Sequence, residues 1–214
     1  MNKELVKRII SSIILVPLVF YFIIQGSFIL IFFITICFGF ACYEWQMMSK
    51  KKSYNILGHI FILFSYYSVF FIRNNLEENS LFIFLVILLI CISTDIGGYI
   101  FGNFFKGPKL TKISPNKTYA GVFGSFFLSI VFINILAQYS FFFTNQYINF
   151  GIIEFILVLI ISLVSQIGDI IISYFKRISK IKDTGKLIPG HGGLLDRTDG
   201  MIFAFPFCMF LIHL

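Results

Sequence analysis

Long uninterrupted apolar runs, separated by short charged segments, set the pattern of this chain. Seven runs stand out, at about 8–24, 27–43, 56–72, 81–103, 119–143, 152–175 and 201–214. A helix needs roughly 20 apolar residues to cross a hydrocarbon core, with about 17 to 25 tolerated. The runs lack the alternation of a barrel strand, so each predicts a transmembrane helix. Pro17 predicts a bend in the first, and the brevity of the last predicts a shallow or little-tilted span. Gln25-Gly26-Ser27 is short enough to be only a hairpin turn. The first run has the basic flank of a signal peptide. No small-residue cleavage site follows it and a second run begins at once, so it reads as a retained span. The expected fold is an all-α integral membrane protein, a polytopic helical bundle of about seven transmembrane helices.

Composition agrees. The 214 residues are 58% hydrophobic and 13% charged, with a mean hydropathy of +0.91 and 30 phenylalanines. Soluble domains carry about 25% charged residues and need a polar exterior. A net charge of +7 raises the question of nucleic acid, but the cations lie between apolar runs rather than along one soluble face. That excludes a nucleic-acid partner. Seven spans put the basic loops on one side of the membrane, and of the 17 Lys and Arg only Arg73 falls on the other. The positive-inside rule then places the N-terminus and the charged loops in the cytoplasm and the C-terminus outside. A bacterial inner membrane is the expected location. The four cysteines are scattered without a CxxC pair and read as small core residues. Residues 1–80 read as N-terminal transmembrane helices, and 81–214 as a catalytic region with cytoplasmic loops 104–118 and 176–200.

The sixth run carries a polar stripe. Ser162, Ser165, Gln166, Asp169, Ser173, Lys176 and Lys180 recur at three- or four-residue spacing and so share one helical face. A carboxylate at the membrane's inner edge costs several kcal/mol unless it is paired, coordinated or wetted, which marks Asp169 as functional. The bland alternative is a structural pair with a Lys or Arg of the same bundle. The stripe runs into a loop dense in Lys, Arg and Asp, holding His191 and the glycines Gly190, Gly192 and Gly193. Such glycines let backbone N–H groups approach anionic oxygens. Asp196 and Asp199, three apart, share a helical face, and with Asp169 they offer hard oxygens suited to Mg²⁺ carrying substrate phosphates. A solvated basic loop with turn glycines would explain any single lysine here, but not the whole set.

These residues carry a resemblance. Ser173 to Asp199 contains S-x-x-K-R, K-D-x-G, P-G-H-G-G and D-R-x-D in order, which resembles the signature of phosphatidate cytidylyltransferases. The signature follows a polar helix, here Gln166-Ile-Gly-Asp169. A second block runs from Asp95-Ile-Gly-Gly-Tyr99-Ile-Phe-Gly102 through Ser114-Pro115-Asn116-Lys117-Thr118 to Gly121. The resemblance covers roughly residues 91 to 205. Ala120 stands where the family usually has an acidic residue, so that position carries no catalytic weight. The N-terminal half is shorter than is common in the family, so its span count is not borrowed.

The resemblance implies that CTP and phosphatidate react to give CDP-diacylglycerol and pyrophosphate, with Mg²⁺ as cofactor, in phospholipid biosynthesis at the cytoplasmic membrane face. It implies that Asp169 and Asp196 hold the metal, with Asp199 third. Lys182, Arg197, His191 and Lys117 become phosphate contacts, and Asp183 orients a lysine or the loop. Asp95, Ser114, Thr118, Lys176, Arg177, Gly192 and Gly193 complete the substrate-binding set. The partners are CTP, phosphatidate and membrane lipid, and a homodimer is left open.

Three other functions fit parts of the sequence. A transporter would use the intramembrane Asp95 and Asp169, but no inverted repeat is visible. Enzymes that consume CDP-diacylglycerol carry D-G-x-x-A-R, whereas Asp199-Gly200 continues Met-Ile-Phe-Ala. A CTP-dependent polyprenol kinase would not need the complete P-G-H-G-G-x-x-D-R-x-D run. No G-x-x-x-x-G-K-[ST] or G-x-G-x-x-G loop is present.

Overall fold

The computed structural model describes residues 13, 15, 17–74, 79–111, 113–114, 116–187 and 192–213. Among these the regular structure is helical, with an isolated bridge joining Lys109 and Thr118. Helix α1 is described over residues 17–25. It is followed by α2 (Ser27–Ser49), α3 (Asn55–Asn74), α4 (Ser80–Phe105) and α5 (Tyr119–Gln138). A single turn, α6 (Phe141–Thr144), precedes α7 (Ile152–Ile178), α8 (Leu195–Thr198) and α9 (Met201–His213).

Five helices, α2, α3, α4, α5 and α7, are long and apolar enough to cross a membrane. The chain is therefore an all-helical, multi-pass membrane protein. Of the first expected span, residues 8–12, 14 and 16 lie outside the described residues. The last is the 13-residue α9, which rises about 20 Å against a hydrocarbon core of about 30 Å.

Two helix ends depart from the apolar pattern. The second run was expected to stop at 43, yet α2 continues through Ser49. Glu44, Trp45, Met48 and Ser49 are buried there, so tertiary contacts sustain the helix past its polar break. The fifth was expected to reach 143, yet α5 ends at Gln138. There the Ser140 hydroxyl donates to the Gln146 carbonyl (3.0 Å) and accepts from the Ile148 N–H (2.9 Å), folding the chain into a turn.

Lipid tails do not drive apolar helices together, so association depends on close packing and interhelical hydrogen bonds. Both appear where α4, α5 and α7 meet. A Cβ on Gly97 would lie 2.3 Å from the Gly124 carbonyl oxygen, and one on Gly121 would lie 2.8 Å from that of Gly98. The Thr94 hydroxyl bonds those of Ser129 (3.0 Å) and Ser162 (2.7 Å), and Ser125 donates to the Thr94 carbonyl (2.7 Å). Pro206 removes a donor from α9, which would orphan the Ile202 carbonyl. Ser65 of α3 supplies the missing bond at 2.7 Å.

The α4–α5 connection folds back as a short finger. Lys106 and Gly107 have positive φ (50° and 84°) and reverse the chain. Leu110 N–H then donates to the Lys117 carbonyl (2.8 Å), and the Thr118 hydroxyl caps α5 by accepting from Gly121 N–H (3.1 Å).

The glycine contacts yield a paired test. Gly97→Ala would drive a methyl into the α5 backbone and should cost about 1–3 kcal/mol. Gly39 has no heavy atom within 4 Å of an added Cβ, so Gly39→Ala should be neutral or stabilising by up to about 1 kcal/mol. Detergent melting curves would read both, and equal melting temperatures for the two variants would refute the tight α4–α5 contact.

Candidate active site

The polar stripe of α7 begins in the dry interior and ends in a cavity. Ser162 and Ser165 are fully buried, whereas Gln166 and Asp169 line an open space of about 350 Å³. That volume falls at the low end of small-ligand pockets, which run roughly 300–1,000 Å³. Four other segments complete the walls, one of them α5 with Gly121, Val122 and Ser125. α4 contributes Asp95, the finger contributes Ser114, Lys117 and Thr118, and the loop after α7 contributes Asp183, Asp196, Arg197 and Asp199. Lys176, the last buried member of the stripe, also faces this space.

Two ion pairs join these segments. Lys117 of the finger pairs with Asp169 of α7, and its ammonium also donates to the Gln166 carbonyl at 3.3 Å. Ser173, one turn on, donates to the other oxygen of Asp169 (3.3 Å). Asp169 thus has the lysine partner of the bland alternative and faces the cavity as well.

The second pair is Lys176 with Asp196, at 2.9 Å. It is drier, with side chains only 11% and 7% exposed. Asp196 turns one oxygen to Lys176 and with the other accepts from the N–H groups of Thr184 (2.8 Å) and Gly193 (3.0 Å). Burial alone would raise its pKa. The Lys176 ammonium and the two amides outweigh burial and hold the carboxyl below its ordinary 3.8.

Asp199 shows the opposite balance. It is buried, accepts from the Gly200 N–H (2.9 Å), and sits near Asp169 and Asp95. Burial first, then the neighbouring carboxylates, push its pKa well up. Asp95, Asp169 and Asp199, from three elements, face the cavity together with Asp183 and Asp196, a concentration of negative charge that favours a hard cation. Among the described residues, no three His, Cys, Asp or Glu side chains converge closely enough to form a ready-made metal cluster. The donor chemistry suits Mg²⁺, which takes one or two carboxylates plus substrate phosphates rather than an all-protein cage.

Other expected site residues lie elsewhere. Lys182 is exposed and does not line the cavity. Arg177 reaches out to the carbonyls of Ile113 (3.4 Å) and Ile181 (3.3 Å), bracing the finger against the loop. Gly192 has φ +89°, and a Cβ there would lie 3.0 Å from Asp196. A Cβ on Gly193 would lie 2.3 Å from the Thr184 hydroxyl and 2.5 Å from Glu44. Both glycines thus make room for carboxylates of this chain. His191, with Pro189 and Gly190, lies outside the described residues.

Glu44 was not singled out in the sequence, yet it is only 3% exposed and touches the same loop. The rule that flags Asp169, a carboxylate in an apolar helix, would have flagged it once α2 was known to extend that far.

The cytidylyltransferase family model matches residues 50–214. A phosphatidate cytidylyltransferase of Rickettsia bellii is 35% identical over 98% of this chain and 91% of its own length. One from Rickettsia typhi is 37% identical over 96% and 90%. One from Staphylococcus aureus is 34% identical over 83% of this chain and 67% of its own.

The depressed pKa of Asp196 has a pH consequence. Its ionised form contributes stability that is present above the unfolded value near 3.8 and is lost as pH falls through the lower folded value. Melting curves taken from neutral pH downward should show that acid arm in the parent. Asp196→Asn should start less stable and fall less steeply over the same range. An unchanged acid slope in the variant would remove Asp196 as the group responsible.

Proposed function

The chain belongs to the cytidylyltransferase family, and from that membership and the chemistry of the cavity we propose that it makes CDP-diacylglycerol from CTP and phosphatidate. A phosphate oxygen of phosphatidate forms a bond to the α-phosphorus of CTP, and the bond from that phosphorus to the departing pyrophosphate breaks. The observation that carries this reading is the convergence of Lys117, Lys176 and Arg197 with Asp95, Asp169 and Asp199 on one cavity among apolar helices. The names of the relatives favour nucleotidyl transfer over transport or polyprenol phosphorylation.

The nucleophile needs little activation. A phosphate monoester has a second pKa of about 6 and is already an anion near neutral pH. The difficulty is to bring two polyanions together and to stabilise charge on the leaving group, which calls for fixed cations and positioning. Lys117 and Arg197, from separate segments, can meet phosphate oxygens from two sides of the cavity. Ser114 and Thr118 add hydroxyl donors beside Lys117. Asp169 and Asp199 are the ligands we assign to Mg²⁺, with Asp95 adding negative charge beside them. Mg²⁺ bound there would neutralise phosphate oxygens of CTP and of the leaving pyrophosphate. For Asp196, the Lys176 pair and the two amide bonds support a role in shaping the loop.

The cavity on this reading opens at the cytoplasmic face of a bacterial inner membrane, with seven spans when α1 and α9 are counted. The distribution of Lys and Arg supports that orientation. CTP arrives from the cytosol, while phosphatidate keeps its tails in lipid and its headgroup at the boundary.

Purified protein in detergent should release pyrophosphate when given CTP, phosphatidate and Mg²⁺, and should move label from CTP into lipid. Failure to incorporate label would overturn the proposed reaction. Asp169→Asn keeps size but loses the charge, and should abolish turnover with folding intact. Activity within about tenfold of the parent at saturating Mg²⁺ would refute the ligand role.

Orientation is tested separately in intact cells. Leu110→Cys and Lys180→Cys should resist a membrane-impermeant thiol reagent applied from outside. Ready labelling at either position would reverse the assignment.

A further inference from the structure

Helix α2 carries a carboxylate for which the transfer reaction has no direct use. Glu44 is 3% exposed, just over one turn from the end of the helix. One of its oxygens accepts from the Leu194 N–H at 2.9 Å. The other accepts from the Leu195 N–H (2.8 Å) and the Thr184 hydroxyl (2.8 Å). Among the described residues no ion pair involves Glu44. A buried carboxylate without a cation is expensive unless donors surround it, and here three charge-assisted hydrogen bonds do so.

All three donors belong to the loop that reaches the cavity. Thr184 follows Asp183, and its own N–H is held by Asp196, so Glu44 and Asp196 grip one residue from two sides. Leu194 and Leu195 lead directly into Asp196 and Arg197. The loop wraps Glu44 closely: a Cβ added to Gly185 or Gly193 would lie 2.5 Å from one of its oxygens.

The end of α2 is fixed in turn. Trp45 packs edge-on against Phe175 of α7, with centroids 5.2 Å apart, and the Met48 carbonyl accepts from the Ser179 hydroxyl at 2.7 Å. The last turns of α2 therefore bind both the end of α7 and the return of the loop.

We infer that Glu44 is a positioning residue for the transfer reaction, holding the loop so that Asp183, Asp196 and Arg197 face the cavity. It lies ahead of the family-matched stretch, which begins at residue 50. The inference rests on the proposed reaction. Glu44 touches no substrate in this role and acts through the loop backbone.

The test uses the full chain in detergent, with two variants chosen to keep the side-chain volume. Glu44→Gln presents an amide donor where main-chain donors already point, so at least one bond to Leu194 or Leu195 is lost. Thr184→Val removes only the hydroxyl bond. A misplacement of about 1 Å in a reacting group can cost about 100-fold in rate. Glu44→Gln should lower kcat about 10- to 100-fold, with a smaller change in KM for CTP. Thr184→Val should lower kcat in the same direction by about 3- to 10-fold. Trypsin should cut after Lys180, Lys182 or Lys186 several-fold faster in both, with melting temperature close to that of the parent.

A folded Glu44→Gln protein with kcat within about twofold of the parent overturns the inference. If Glu44→Gln does not fold, Thr184→Val decides: parent kcat and parent cleavage rate overturn the inference, and a lower kcat with faster loop cleavage sustains it. A parent that makes no CDP-diacylglycerol would instead sink the proposed reaction, while the trypsin rates would still report whether Glu44 fixes the loop.

Discussion

A carboxylate carried by an apolar helix must be met by donors from elsewhere in the chain, and that requirement organises this protein. Little water is available in a bilayer to stabilise a stray charge, so each buried acid recruits a partner or distorts its surroundings. Asp169 on α7 is met by Lys117, which draws the 106–118 finger over the helix. Asp196 is met by Lys176 and two loop amides, which draws the segment after α7 back onto its own helix. Glu44 on α2 is met by Thr184, Leu194 and Leu195 of that same segment. The segment after α7 is also held by apolar contacts, with Leu195 buried in a hydrophobic cluster and Ile181 packed against it. Its conformation follows from those contacts together with the acids it satisfies.

The helices beneath them are held by a different balance. Gly97 and Gly124 let the backbones of α4 and α5 touch, and the hydroxyls of Thr94, Ser129 and Ser162 tie α4, α5 and α7 together in a dry layer. Thr94 lies at the floor of the cavity, and the next residue, Asp95, faces it as well. The boundary between satisfied hydroxyls and facing carboxylates is thus a single step along α4. Hydroxyls can satisfy one another without water, whereas clustered carboxylates need a proton, a lysine or a metal. The dry layer provides the floor, and the charged layer above it brings carboxylates and cations to one cavity.

Much of this was legible in the sequence because it is local or periodic. Five apolar runs became membrane-length helices, and the stripe from Ser162 to Lys176 lies on one face of α7 and ends in the cavity. The linked motifs pointed to Lys117, Asp169 and Asp196, which the fold brings to one site. What stayed hidden depends on distant partners. Glu44 interrupts an apolar run together with Trp45 and Gln46, and so resembled a helix end. The residues that bury it are 140 to 151 positions away. The end of α5 at Gln138 is set by the turn around Ser140, which hydropathy does not register. Gly192 and Gly193 have the composition of a phosphate cradle, but only the folded loop reveals that Asp196 and Glu44 occupy the space beside them.

The two acids that hold the loop, Asp196 within it and Glu44 on α2, are poor candidates for stability alone. Replacing a buried ion pair by apolar residues of similar volume is often neutral or stabilising. A Leu in place of Asp196 could fill the space, but it would orphan the amides of Thr184 and Gly193 and the ammonium of Lys176. A Leu in place of Glu44 would orphan two further amides and a hydroxyl. Unmade bonds to buried donors cost about 1–3 kcal/mol each, so the loop would then adopt other conformations to reach water. The acids therefore select one loop geometry among several of comparable stability. α2, which ends before the family-matched region begins, supplies half of that selection. The N-terminal helices thus anchor the chain in lipid and, through Glu44, help determine where Asp196 and Arg197 stand.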